Sequence, residues 1–463
     1  MADTETYEIL VVGSGAAGKF IAWTMTGAGR RTALIERSAI GGACPNVACL
    51  PSKNLIYSAK VAALARRAEF GLKTDSLSVD MKMVQHRKRL MVDGLRQMHL
   101  DRTKASGAEL IMGKARFVAP RTVEVELESG GKRTIRGDSV FLDVGSRAAM
   151  PDTPGLVAAN PMTHVELLEL DRLPEHLIVL GGGYVGLELA QAMRRFGSQV
   201  TLIEAGPQLA GREDPDIGAA LLDLFHDEGI EVLLRSEIRQ VEGRSGNRVR
   251  VQVQSGGGQR AIEATDLLVA TGRKANTDGL GLELTGVQLN EHGYIRVNER
   301  LMTTSENIWA MGDGAGSPQF THVAENDFSI VHDNLNGGNR TTRNRLIPFC
   351  MFTDPELARV GRNETEARRD GIEYRLAKMP MAQVLRTRTV SEPRGFMKML
   401  IGKNSGEILG FTAFGFEASE LMAAVQIAMV GGMPFTVLRD AIFAHPTISE
   451  GLSGLVGQVP GAG

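Results

Sequence analysis

Residues 7–18 read YEILVVGSGAAG. An apolar run, Ile9 to Val12, stops at Gly13-Ser14-Gly15-Ala16-Ala17-Gly18, and a helix-like stretch continues to about Gly29. A second strand, TALIE, then ends in Glu36. In this order of strand, G-x-G-x-x-G, helix, strand and acid, the glycines let the backbone approach a pyrophosphate, whose charge sits on the helix N-terminus. The acid at the end of the second strand accepts hydrogen bonds from a ribose diol. A glycine turn in some other α/β fold is the plainer alternative for one copy alone.

The unit recurs. Residues 176–204 read HLIVLGGGYVGLELAQAMRRFGSQVTLIE, with Gly181, Gly183 and Gly186 in the glycine positions and Glu204 as the acid. Glu36 and Glu204 each stand 23 positions after the first glycine of their unit. Two units in register predict two dinucleotide sites. A carboxylate at Glu204 suits a free ribose 2′-hydroxyl and repels a 2′-phosphate, so NADH is expected over NADPH, although Arg212 could soften the preference.

Composition fits this reading. At roughly 150 residues per domain, the 463 residues suggest about three domains. The chain is 43% apolar and 23% charged, as expected of a globular protein with ample core. Its 52 basic and 54 acidic residues give a net charge of −2, which calls for neither nucleic acid nor an anionic membrane as partner. No apolar run reaches the ~18 residues of a membrane span. The opening MADTETYEILVVG passes straight into a strand and does not read as a signal peptide. Three cysteines rule out a disulfide scaffold, and a cytoplasmic setting is expected. The 54 glycines, about 12% against a usual ~7%, need local explanations, which the turns supply.

Residues 40–54, IGGACPNVACLPSKN, place Cys44 and Cys49 five apart, directly after the first unit. The spacing excludes a C-x-x-C motif, and with only Cys350 remaining no zinc set is available. No resident metal is expected. The pair reads either as buried structural thiols or as a redox disulfide beside a flavin. The neighbouring dinucleotide unit, and a helix start that lowers a thiol pKa, favour the second.

The segment GGACPNVACLPSK closely resembles the redox signature of the flavin-dependent pyridine nucleotide-disulfide oxidoreductases, a family that includes dihydrolipoamide dehydrogenase, glutathione reductase and mercuric reductase. The VGS of LDVGSRAAMP, LLVATGRKAN, IWAMGDGAG, FTDPELARVG and FAHPTISE follow in the family's order, so the resemblance spans Gly13 to Glu450. It implies an α/β fold with two Rossmann-like domains, for FAD and NAD, and a C-terminal α+β dimerisation domain. The expected boundaries are 1–150 and 277–343 for the FAD domain, 151–276 for the NAD domain and 344–463 for the interface domain.

The resemblance also implies roles. Cys49 would contact the flavin, and Cys44 would attack the substrate. Lys53, paired with Glu188, would stand near the flavin N5. Tyr184 would gate the nicotinamide pocket. Gly145, Ser146 and Asp313 would bind FAD, and Gly272 would lie beside NAD. Thr321 and His322 fall in a segment that reaches the flavin ring. His445 and Glu450 match the family's acid–base dyad, which serves the active site of the other subunit and so implies an obligate homodimer.

The expected activity is NADH-dependent reduction of a small disulfide, or the reverse with a dithiol, in the manner of dihydrolipoamide dehydrogenase. Two alternatives use the same fold: a mercuric reductase-like metal-ion or quinone reductase, and an E3-type subunit on a multienzyme core. Neither the C-terminal cysteine pair nor the N-terminal metal-binding domain of mercuric reductases is expected here, nor the dicysteine tail of the large thioredoxin reductases. Against dihydrolipoamide dehydrogenase, Ala48 replaces a usual glycine, Pro45 is atypical, and VGS stands for the commoner ATG.

Three local expectations complete the reading. Residues 81–105 form one long helix with a solvated basic face. Residues 396–415 form two strands around Asn404-Ser405-Gly406, followed by an amphipathic helix over 417–432. Cys350 is a buried strand residue.

Overall fold

The computed structural model describes residues 4–73 and 77–461. The first glycine turn sits at the end of a strand in a parallel sheet. Glu5–Val12 lies between Thr32–Glu36 and Lys132–Leu142, all parallel, with Ile308–Ala310 added beyond. Glu109–Ala119 pairs with Thr32–Glu36 through its first residues, then bends into an antiparallel meander with Thr122–Leu127 and Lys132–Leu142. Every residue from Leu10 to Val12 and from Val140 to Leu142 is buried, as a sheet covered on both faces requires.

The second turn ends a strand of a separate four-stranded parallel sheet, ordered Asp266–Val269, His176–Leu180, Gln199–Ile203, Glu231–Leu233. An antiparallel three-stranded sheet, 237–264, covers one side of it. A short antiparallel pair, Ser146–Ala148 with Arg273–Ala275, joins this unit to the first. From Phe349 onward the chain forms a five-stranded antiparallel sheet with Ala418–Val430 packed on it. Phe396–Gly402 and Ile408–Gly415 pair around the Asn404-Ser405-Gly406 turn. Among the described residues no helix is long and apolar enough to cross a membrane.

One hydrophobic cluster fixes the relative placement of these units. It joins Leu55, Ala59 and Ala62 of helix Cys49–Ala65 to Leu187 and Ala190 of helix Tyr184–Phe196, and to Met351, Leu357 and Phe414 of the antiparallel sheet. The helix that begins at Cys49 therefore packs against the helix that follows the second glycine turn. This contact sets up the site.

Helix Met81–Ser106 is capped by Asp80, which accepts from the N–H groups of Lys82 and Met83, and it ends at Gly107 in the left-handed region. Its basic face is less solvated than the charge run suggests. Lys88 is buried, donating to the Leu168 carbonyl at 2.7 Å and to Glu169, and His99 is buried against Lys19. Cys350 lies on strand Phe349–Met351 but is half-buried rather than buried. Desolvation, with Glu356 and Glu188 nearby, holds its thiol far above the ordinary range, so it is no thiolate.

A buried ionic cluster ties the second parallel unit to the antiparallel sheet. Lys398 is fully buried and donates to Asp214 at 2.6 Å, Asp216 at 2.9 Å and Glu364 at 3.2 Å. Burial pushes Asp214 up, but hydrogen bonds from Lys398 and Thr365 outweigh it and hold the carboxyl below its usual range. The stabilisation is therefore complete above about pH 4 and lost on acidification below it. Lys398→Met leaves buried Asp214 without its cation, while Asp216 keeps Lys378 and Glu364 keeps Arg368, and removing one partner of such a buried pair costs about 3–5 kcal/mol. The expected result is a clearly lower thermal midpoint for the full-length protein; an unchanged midpoint would refute this role.

Candidate active site

Both glycine turns have the same internal geometry. Gly13 and Gly181 have φ of 98° and 105°, and a methyl on either would strike a backbone carbonyl, that of Asp143 at 2.1 Å or of Ala270 at 2.5 Å. Gly18 and Gly186 lie so close to the first glycines of their own turns that a side chain at either would meet a carbonyl at 2.1 or 2.0 Å. Glu36 accepts from the Ser14 N–H at 3.0 Å, the Ser14 hydroxyl at 2.6 Å and the Ser38 N–H at 2.9 Å. Glu204 does the same for the N–H groups of Gly182 at 2.6 Å and Gly206 at 2.5 Å. The two acids thus brace their turns.

The middle glycines differ. A methyl on Gly183 meets nothing within 4 Å, whereas one on Gly15 would lie 2.5 Å from the Asp143 carboxylate. Gly15 and Gly183, the N-cap residues, provide no side-chain cap, so that apart from the Gly18 N–H, which Asp143 takes, first-turn N–H groups are left to take a phosphate. The residues present fit a dinucleotide at each turn.

The two thiols lie beside the first turn. Gly42, with φ of 74°, approaches the Gly15 backbone so closely that a methyl there would fall 2.5 Å from its Cα, and Cys44 follows two residues on. Cys49 is the first residue of helix Cys49–Ala65, and its Sγ is 3.5 Å from the Thr321 hydroxyl. The hydrogen bond from Cys44 is the largest influence on Cys49; with Thr321 and the nearby Lys53 ammonium it outweighs burial and brings the Cys49 thiol down to about 6. The same hydrogen bond, with burial, pushes Cys44 up. One proton is shared, and Cys49 holds the negative charge.

Helix packing brings Lys53 and Glu188 together at 2.9 Å. Glu188 is buried, and its other oxygen accepts from the Phe352 N–H at 2.8 Å. The lysine ammonium also lies 4.7 Å from the centre of the Phe352 ring. Tyr184 begins the second helix and donates its hydroxyl to Glu213 at 2.8 Å. Glu213 is paired with buried Arg359 at 3.0 Å. Sequence reasoning did not single out Glu213, which nothing local marks, or Arg359, although it sits inside the quoted FTDPELARVG.

Ser146 donates to Asp313, and Arg273 donates to the Ser146 hydroxyl at 2.7 Å and its carbonyl at 3.0 Å. Gly145 and Gly272 both have positive φ, 65° and 143°, and Gly272 borders open space. Arg273 was missed although it sits inside a quoted motif. His322 is exposed, stacked on Phe320 and hydrogen-bonded to the Pro348 carbonyl, and it does not join the thiols.

His445 and Glu450 form a pair, Nδ1 to Oε2, at 2.8 Å, but the histidine side chain is 63% exposed. Within the chain, the groups acting most strongly on Cys44 are Cys49, Thr321 and Lys19, and His445 is not among them. Nearby, Ile442 is fully exposed, as are Ile427 and Val430 in large part. Among the described residues no group of three or more His, Cys, Asp or Glu side chains is arranged to hold a metal.

The family model described as pyridine nucleotide-disulphide oxidoreductase matches residues 7–327, and that of the family's dimerisation domain matches residues 347–455. The probable pyridine nucleotide-disulfide oxidoreductase RclA of Escherichia coli (strain K12) is 35% identical over 459 residues, covering 98% of this chain and 99% of that protein. A mercuric reductase of Acidithiobacillus ferrooxidans is 37% identical over 456 residues, 97% of this chain and 82% of that protein. The solved Cu(II) complex of the HOCl-induced flavoprotein disulfide reductase RclA from Escherichia coli superposes with a TM-score of 0.89 at 33% identity, covering 98% of this chain and 99% of that one.

Proposed function

Because this chain belongs to the pyridine nucleotide-disulphide oxidoreductase family, we propose that it is an NADH-dependent flavoprotein reductase of small disulfides. Membership carries FAD and a nicotinamide nucleotide as cofactors, and the dimerisation domain carries a homodimer. One observation carries the reading furthest: two adjacent thiols beside the first glycine turn, with the charge held on Cys49 by Cys44, Thr321 and Lys53.

Bound flavin supplies two-electron exchange between nicotinamide and thiol. The chain's own residues do the rest. Glu36 and Glu204 hold the two turns and would accept from the ribose hydroxyls of a bound dinucleotide. Gly145, Ser146, Asp313 and Gly272 would line the approaches to the cofactors, Thr321 and His322 would lie on the flavin side, and Tyr184 would cover the nicotinamide. Lys53, fixed by Glu188, places a positive charge beside the Cys49 thiolate. His445 of the partner subunit takes the Cys44 proton as that sulfur attacks the substrate disulfide and forms a mixed disulfide, and it returns the proton to the departing thiolate. Cys49 then attacks the Cys44 sulfur, which closes the Cys44–Cys49 disulfide and releases the second product thiolate.

NADH is the expected donor because Glu204 repels a 2′-phosphate. Arg235 and Arg239 line a cleft with Ala205, Pro207 and Glu237, next to the end of that strand; Arg239 is paired with Glu237 at 3.0 Å, which leaves Arg235 to reduce the penalty. Preference for NADH over NADPH is expected to be about tenfold in kcat/KM, and equal values would refute the role given to Glu204.

The deciding experiment is anaerobic NADH oxidation with lipoamide or glutathione disulfide as acceptor, with Cu(II) in parallel. Turnover with a disulfide supports the reading. Turnover with Cu(II) alone favours a second reading, for which the Cu(II) complex of the similar RclA is the specific ground. No described residue of the site calls for a multienzyme core.

A further inference from the structure

Asp143 directly follows strand Lys132–Leu142 and is buried beneath the first glycine turn. One of its oxygens accepts from the Gly18 N–H at 2.7 Å. A methyl on Gly15 would lie 2.5 Å from that oxygen, and one on Gly312 would lie 3.1 Å from the other. The carboxyl therefore sits between two glycine turns, the second of which carries Asp313. Like charges surround it: Asp313 in turn Gly312–Ala315, and Asp327 on helix Thr321–Leu335, itself paired with Arg345. On its other side Lys19, on helix Ala16–Gly27, offers opposing charge, but burial lowers that lysine's pKa and Lys19 is hydrogen-bonded to His99 at 3.1 Å. Nothing in the disulfide chemistry uses Asp143.

We propose that Asp143 is a positioning residue that binds the flavin dinucleotide in its protonated form, so that flavin retention is linked to pH. The neutral carboxyl donates its proton to an oxygen of the dinucleotide seated on the turn while still accepting from Gly18. An ionised carboxyl has no proton to donate and repels the pyrophosphate. Burial, with Asp313 and Asp327, pushes the group up to about 7, so the carboxyl is neutral below that pH. Above it, each flavin bound takes up one proton, and the dissociation constant rises about tenfold per pH unit. The inference rests on the flavin-binding reading above.

The test dilutes the purified flavoprotein at several pH values between about 6 and 9 and reads free flavin by its fluorescence. Wild type should lose flavin progressively above pH 7. Asp143→Asn keeps one donor and one acceptor and should hold flavin equally well across the range. Asp143→Ala should bind more weakly but with no pH slope. A flat wild-type profile, or an unchanged slope in either variant, would overturn the proposal. Protein that carries no flavin absorbance and takes up no added FAD would instead overturn the flavin-binding reading itself.

Discussion

Cys44→Ser is expected to cut disulfide reduction by roughly 10³-fold or more, while NADH still bleaches the flavin's visible absorbance. The two sulfurs hold different positions. Cys49 carries the charge next to Thr321 and Lys53, whereas Cys44 holds the shared proton. A serine hydroxyl at position 44 can still donate to Cys49 but is a poor nucleophile toward a disulfide. In the reduced Cys44→Ser variant, the alkylation of Cys49 should therefore keep a midpoint near 6. Cys44→Ala removes the donor that most lowers Cys49, and the midpoint should rise. Equal midpoints in the two variants would show that Cys44 does not set the charge on Cys49.

His445→Ala should lower disulfide turnover by about 10²–10⁴-fold, the usual contribution of a positioned acid–base group, with flavin reduction by NADH unchanged. The sharper test concerns where that histidine acts. Its 63% exposure, and its absence from the groups acting on Cys44 in its own chain, support service to the partner's thiols. Co-expression of Cys44→Ser and His445→Ala chains distinguishes the cases. If sites are shared, each mixed dimer contains one site with both groups intact, and random pairing restores about a quarter of wild-type sites. If each chain serves itself, no mixed dimer has an intact site and activity stays at the level of the parents.

What was legible in the sequence was local. Each glycine turn needs a positive φ or a close backbone approach within a few residues, and each acid follows at a fixed distance along the same βαβ unit. The second turn repeats the first because the physics of seating a pyrophosphate is the same. The Cys44–Cys49 spacing and the five-residue step from His445 to Glu450 are local in the same sense. The long basic helix was also legible, but the burial of Lys88 was not, because its carbonyl partner lies 80 positions away.

Tertiary structure decided which groups act on one another. Lys53 meets Glu188 across 135 positions, Cys49 meets Thr321 across 272, and Gly18 meets Asp143 across 125. Lys53 and Glu188 were paired beforehand only through the family resemblance; spacing alone could not join them. Asp143 stands next to the quoted VGS but carries no local signal of its charge state. A single aspartate after an apolar strand is unremarkable until the fold closes two glycine turns around it and removes its water. Charge state in a buried site depends on desolvation and on neighbours within a few ångströms. The sequence therefore determined the chain's fold and redox parts list, and packing determined which of those groups is charged and which holds the proton.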